Sequence, residues 1–218
     1  MNFSLISKIV HHTASSISGE IIVREQFGQH SLHVVGVPQS GGIVKQIWQK
    51  GIKSLPDFKP VPEVLLLGLG GGTVIHLVKK RWPEAKVFAI ELDPQIIVVS
   101  RTYFDLDKVS GLKIVRDDAF KAVLQKKHGL AKKLFDLILV DIYLGQSLPG
   151  FVETEEFIQA LGGLLTKRGV LVFNHLLNKE GKMAIIPFRQ RLKKIFPDLK
   201  MVQTFSNELL IASKGQTG

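Results

Sequence analysis

From residue 61 onward, short apolar runs alternate with stretches whose apolar residues recur at helical spacing. Few folds accept that order. The runs at 63–67, 86–90, 112–115, 135–140 and 169–174 are too short for helices and read as buried strands. Between them, 73–81, 94–103, 118–127 and 154–165 read as helices. Trp82-Pro83 stops the first of these, and Pro94 suits the first turn of the second. The fourth sets Phe157, Leu161, Leu164 and Leu165 on one face, behind acids in its first turn. A basic helix is expected around 186–196. Two last runs, 200–205 and 208–212, are separated only by Ser206-Asn207, which is hairpin spacing. The chain therefore reads as α/β, with a mostly parallel sheet and an antiparallel pair at its edge.

Residues 1–60 follow another pattern. Runs at 19–24 and 31–35 read as short strands joined near Phe27-Gly28, followed by a turn-rich loop at 36–42. A helix is expected over 43–51, then a proline-marked linker over 55–62. The expected organisation is a small β-hairpin region and linker over 1–60, then one α/β domain over 61–218. A chain of 218 residues suits this plan, and at that size roughly 70% of the unfolded surface is buried without covalent staples. The cysteine count is 0, which excludes disulfides, thiol nucleophiles and thiolate metal sites. No run reaches the roughly 18 apolar residues of a membrane helix. Residues 1–10, with Lys8 as their charge, make a poor secretion signal, so the cytoplasm is the expected compartment.

The net charge is +10, and it is concentrated. Lys121, Lys126, Lys127, Lys132 and Lys133 share an acid-free stretch, and residues 179–200 hold seven basic side chains against Glu180 and Asp198. These read first as solvated helix faces and second as a partner surface. No aromatic residues interleave with them, so nucleic acid is not the expected partner.

In an open parallel sheet, ligands bind beyond the carboxyl ends of the strands, where the strand order reverses. The residues just after each strand are thus the candidates. After the first comes Gly68-Leu69-Gly70-Gly71-Gly72-Thr73, where glycines permit close backbone approach ahead of a helix N-terminus. A dinucleotide loop of the GxGxxG type would need glycine at Thr73. After the second strand comes Glu91, 23 residues beyond Gly68, where a carboxylate can accept from both ribose hydroxyls; Asp93 is the expected helix cap. After the third come Asp117, Asp118 and Ala119. One of these acids can accept from an adenine amine while the other caps the helix. After the fourth, Asp141 closes a very apolar strand ahead of a long loop containing Tyr143. A glycine loop and three acid positions on four successive strands point to an adenosine-containing cofactor. The terminal hairpin favours S-adenosylmethionine over a nicotinamide dinucleotide.

With these residues in place, the chain from about residue 19 to 214 resembles the spermidine synthase-like group of the class I methyltransferase superfamily. The resemblance rests on Val64-Leu65-Leu66-Leu67-Gly68-Leu69-Gly70-Gly71-Gly72-Thr73, Ala89-Ile90-Glu91-Leu92-Asp93-Pro94, Asp117-Asp118-Ala119, Phe135-Asp136-Leu137-Ile138-Leu139-Val140-Asp141 and residues 151–174. Gly36-Val37-Pro38-Gln39-Ser40-Gly41 is similar to the group's hairpin segment. The resemblance implies a Rossmann-like fold with a seven-stranded sheet. It also implies S-adenosylmethionine or its decarboxylated form as cofactor, held by Gln39, Gly68, Gly70, Gly71, Gly72, Glu91, Asp117, Asp118 and Ala119. By position, Glu91 would hold the ribose, Asp118 the adenine, and Asp141 with Tyr143 the acceptor. A homodimer built through the N-terminal hairpin is a further implication.

Two departures matter. Aminopropyltransferases of this group carry one aspartate where Gly70 stands and another where Leu144 stands. Without those acids a polyamine's amine stays protonated and poorly held. The expected activity is therefore methyl transfer to an amine or hydroxyl on a small molecule or protein, with no membrane partner. Spermidine synthesis, with Glu153 or Glu155 substituting for a missing acid, is the second expectation, and a catalytically silent binding module is the third. His76 is expected on a helix surface and His175 at a strand end near the site. The remaining histidines show no ligand spacing, so no metal is expected.

Overall fold

The structure is a computed structural model that describes residues 7–58, 61–145 and 147–214, leaving the side chain of Lys179 aside. The first six residues, and with them most of the secretion-signal reading, lie outside the described residues, as do two linker positions (59 and 60) and Gln146.

Seven strands form the main sheet: β5 (Glu63–Leu67), β6 (Lys86–Glu91), β7 (Leu112–Arg116), β8 (Phe135–Val140), β9 (Leu165–Leu176), β10 (Asp198–Gln203) and β11 (Asn207–Ser213). Their spatial order is β10-β11-β9-β8-β5-β6-β7. Strand β11 runs against both neighbours, and the β5, β6, β7, β8 and β9 pairings are parallel. This is the Rossmann-like arrangement of class I methyltransferases, antiparallel hairpin included. The strand order reverses between β5 and β8, which leaves a crevice at their carboxyl ends.

Side chains alternate across the sheet with the period of a strand. Val64, Leu66, Leu137, Leu139, Val170 and Val172 enter one core. Leu65, Leu67, Ile138, Val140, Leu171 and Phe173 enter the other. Helices α1 (Gly42–Lys53), α2 (Thr73–Arg81) and α3 (Pro94–Tyr103) cover the first face, and α4 (Ala119–Leu124), α5 (Glu155–Gly163) and α6 (Lys179–Ile195) the second. A sheet covered on both faces explains why its strands read as continuous apolar runs.

The N-terminal region is larger than a hairpin. Strands β1 (Lys8–Ser15), β2 (Gly19–Gln26), β3 (Gln29–Val34) and β4 (Val37–Pro38) form a four-stranded antiparallel sheet. Strand β1 escapes a pattern reading because its residues are partly or fully exposed and its polar positions do not alternate cleanly. Ile21, Val23, Leu32 and Val34 join the same core as Trp48 and Val64, so this sheet packs on the first face of the main one.

Helix ends follow their caps. Asp93 accepts from the Gln95 backbone N–H, Asp118 from that of Lys121 and Thr154 from that of Phe157. Helix α4 is shorter than expected because Lys126, His128 and Gly129 take left-handed backbone angles. Helix α6 starts two turns earlier than expected. Asn178 caps it, and Pro187 lies inside it where the sequence suggested a beginning.

Candidate functional site

A cleft of about 820 Å³, partly open to solvent, lies at the reversal point of the strand order. Gly68, Gly70, Glu91, Asp118, Ala119 and Asp141 line it, each at or just past the end of a strand, as do Gln39 and Tyr143. Gly71 and Gly72 are buried behind the loop, against Ser40 and Leu106, and do not line the cleft.

Glycine is required at two of these positions by close approach. Gly68 has φ +88°, and a Cβ there would stand 2.2 Å from the Asp141 carbonyl oxygen, so the tips of β5 and β8 touch only through a bare backbone. Gly70 has φ +49°, and a Cβ there would stand 2.8 Å from the Gln39 carbonyl oxygen. The N-terminal segment thus presses on the glycine loop from outside.

Glu91 is fixed by two backbone donors. Leu69 N–H donates to Oε2 at 2.9 Å and Asp93 N–H to Oε1 at 2.8 Å. Each oxygen keeps a second acceptor direction free of those bonds. Burial pushes its carboxyl above the ordinary range, against the pull of the Asp93, Leu69 and Leu92 backbone N–H groups. The twin acids divide. Asp118 lines the cleft and also caps α4. Asp117 stands off the cleft wall, with Oδ2 2.7 Å from His128 Nε2 and 3.6 Å from Lys127 Nζ, and its carboxyl is held below the ordinary range chiefly by the His128 hydrogen bond.

Asp141 is held by side chains that sequence reasoning did not place. Trp48 Nε1 donates to Oδ2 at 3.0 Å, and Asn174 Nδ2 donates to Oδ1 at 2.8 Å. Asn207 Nδ2 donates in turn to Asn174 Oδ1 at 2.8 Å. Trp48 is fully buried on α1. Burial drives the Asp141 carboxyl upward, and the two donors offset part of that. The Tyr143 hydroxyl donates to the Asn174 carbonyl at 2.6 Å. Its ionisation is pushed well above the ordinary phenol range, first by burial and then by the Asp141 charge. The available signals were weak: a lone tryptophan in an amphipathic helix, and asparagines at the ends of two apolar strands.

Beyond Asp141 the cleft continues into a second chamber, about 630 Å³ including the part open to solvent. Gln39, Asp141, Tyr143 and Gly145 line both chambers. Gln39 Nε2 reaches 3.5 Å from the Gly145 carbonyl, so the N-terminal loop and the loop after β8 meet where the chambers join. Leu144 lines the first chamber and is half exposed. The acids considered as substitutes stand elsewhere. Glu153 pairs with His175 at 2.9 Å and Arg191 at 3.4 Å, and Glu155 accepts from Gln159. His175 is buried in that pair and against Phe188, away from both chambers. His76 Nε2 lies on the helix surface, 2.8 Å from the Phe104 carbonyl. Among the described residues, no cluster of three or more potential ligands forms a metal site, and no helix is long and apolar enough to cross a membrane.

The arrangement can accept hydrogen bonds from a polar ligand at Glu91 and Asp118 and seat an amine or hydroxyl against Asp141. The chain is 34% identical over 118 residues to a polyamine aminopropyltransferase of Vibrio vulnificus, covering 54% of this chain and 39% of that protein. It is 28% identical over 158 residues to the human eEF1A lysine and N-terminal methyltransferase, covering 67% of this chain and 22% of that protein. The chain therefore spans about two fifths of the one relative and about a fifth of the other. Among solved structures, a probable spermidine synthase from Corynebacterium glutamicum shares its fold at TM-score 0.77, with 18% identity over 97% of this chain and 82% of that one. Human methyltransferase-like protein 13, solved in complex with SAH, does so at TM-score 0.66, with 23% identity over 81% of this chain and 84% of that one. Residues 46–214 match the family described as the spermine/spermidine synthase domain, and the chain belongs to that family.

Proposed function

We propose that this chain is an S-adenosylmethionine-dependent transferase that moves a methyl group in preference to an aminopropyl group. The carrying observation is that Glu91, Asp118 and Asp141, from the tips of three different strands, converge on one cleft. In this reading Glu91 accepts from the ribose hydroxyls. Asp118 accepts from the adenine amine while the Ala119 backbone meets the ring edge. Gly68 and Gly70 let the loop approach the cofactor closely, and Gln39 closes it in from the N-terminal side. We take residues 61–218 as the cofactor-binding domain and residues 1–60 as its cover.

When bound, the cofactor supplies an already activated methyl group, so the protein contributes orientation, exclusion of water and a seat for the nucleophile. Asp141 orients the acceptor's N–H or O–H, and Tyr143 lines the same side. The preference for methyl rests on space and charge. A side chain at Gly70 would collide with the Gln39 carbonyl, and by the resemblance Leu144 stands where the second acid would. With no carboxylate in the glycine loop, the carboxylate of the intact cofactor meets no repulsion there.

Calorimetric titration tests this. S-adenosylmethionine is expected to bind about tenfold tighter than its decarboxylated form, a difference of about 1.4 kcal/mol. The reverse order would favour aminopropyl transfer, the second reading, which has the aminopropyltransferase relative in its support. Spermidine formed from putrescine and the decarboxylated cofactor would then confirm that second reading. Affinity for neither cofactor sinks both.

A further inference from the structure

The second chamber carries information about the acceptor. Its walls are mostly apolar: Val37, Ile43, Val44, Ile47 and Leu176 face it. Its neutral polar groups include Asn174, Asn207 and Tyr143, which are already tied to one another or to Asp141. Among the described lining residues, Asp141 is the one charged side chain. At the mouth, Ile43 is 42% exposed, and Phe205, next to the lining residue Ser206, is 96% exposed.

Taking the transferase reading above as its basis, we propose that this chamber selects an acceptor with one primary amine on an uncharged alkyl stem, and turns diamines away. One ammonium can be matched by one carboxylate, to which it can also yield its proton to become the free-amine nucleophile: the N–H bond breaks, its electron pair stays on nitrogen, and an O–H bond forms on Asp141. The alkyl stem then lies against the aliphatic wall, where burying apolar surface is favourable. A second ammonium on the same stem would enter that wall with no counter-charge, and unpaired buried charge is strongly disfavoured. The exposed Ile43 and Phe205 side chains bring its outer end no counter-charge either.

The test uses the full chain saturated with S-adenosylhomocysteine and titrated with n-pentylamine, cadaverine and Nα-acetyl-L-lysinamide. Pentylamine and cadaverine have the same carbon count and differ by one amine. Pentylamine is expected to bind about tenfold tighter or more. Equal or tighter cadaverine binding overturns the proposal. The lysine derivative carries one charge and a neutral outer end, so it too is expected to bind ahead of cadaverine. If it also binds ahead of pentylamine, the stem belongs to a lysine side chain; if behind, to a free alkylamine. A second arm uses Ile43→Asp, which adds a carboxylate in the exposed first turn of α1, where helices favour acids. This variant is expected to bind cadaverine more tightly than the native chain does. No gain means that charge does not set the choice, which also overturns the proposal. The heat of S-adenosylhomocysteine binding is read first. Its absence removes the transferase reading, while the amine titrations run without it still report on the chamber.

Discussion

The first chamber and the second meet at Asp141 and draw on different parts of the chain. The first takes its glycines and acids from the tips of β5, β6, β7 and β8, so these recur with the strand–helix period, while Ser18, Val34 and Gln39 of the N-terminal region close it from one side. The second gathers residues 37–47, 141–145, 174–176 and 206–207, brought together only by packing of the N-terminal segment and the terminal hairpin on the main sheet. Local chain geometry therefore specifies the acids of the first pocket, and long-range contacts specify the second. The sharpest way to break that contrast is at Glu91. Glu91→Gln turns an amide N–H₂ toward the N–H of Leu69 or Asp93 and removes the charge offered to the ribose. Two charge-assisted hydrogen bonds at about 1.5 kcal/mol each amount to roughly a 100-fold loss of cofactor affinity. Calorimetry should record that loss with amine binding in the second chamber retained. A parallel loss of amine binding would show that the chambers are not separate.

Trp48→Phe is the corresponding change on the acceptor side. The indole N–H is one of two donors to Asp141, and removing it leaves a buried carboxylate oxygen short of a partner. Such an orphaned acceptor costs about 1–3 kcal/mol. The melting temperature should fall by about 2–4 °C for each kcal/mol in a chain of this size. Cofactor affinity should hold while turnover drops, because Glu91 and Asp118 are untouched. Unchanged turnover would remove Trp48 from the positioning of Asp141.

The pH dependence sharpens the comparison further. Burial raises the Asp141 carboxyl in the folded state. A raised acid binds its proton more tightly when folded, so stability falls as pH climbs from the unfolded carboxylate range through the folded value, and the penalty stays constant above it. Asp141→Asn should lack that part of the slope. Melting curves of both proteins across this window should converge at low pH and separate as pH rises. Parallel curves would mean that Asp141 is not buried as a charge. Native turnover should rise over the same window as the carboxylate ionises, whereas cofactor binding remains governed by Glu91.

What the sequence disclosed divides along the same line. The strands from 63 to 67 and from 135 to 140 coincide with their expected limits, because a strand buried on both faces writes an uninterrupted apolar run. Glu91 and Asp141 were legible because strand tips in a parallel sheet are where chemistry collects. Trp48, Asn174 and Asn207 were not, since nothing local marks a side chain whose partner lies 93 or 33 positions away. Strand β1 was also illegible, its polar and apolar residues lacking a clean period of two. Helix α6 was read short: it begins at Lys179, two turns before the expected start, and carries Pro187 in its interior.

The smallest expected effect is the most discriminating, because it separates two identical neighbours. Sequence alone offers Asp117 and Asp118 as equivalent acids after β7. In the fold, Asp118 lines the cleft, whereas Asp117 turns to His128 and Lys127 at the surface. Asp118→Asn should weaken cofactor binding by about tenfold, the worth of one charge-assisted hydrogen bond. Asp117→Asn should leave it within about twofold, and its partly exposed pairing should cost at most about 1 kcal/mol of stability. The Asp117 carboxyl is held low in the folded state, so its contribution is present above the ordinary carboxylate range and fades as pH falls. Paired titrations of the two variants near neutral pH separate them. Equal losses would mean that the adenine sits between both acids, and that the division of the twin carboxylates has no bearing on binding.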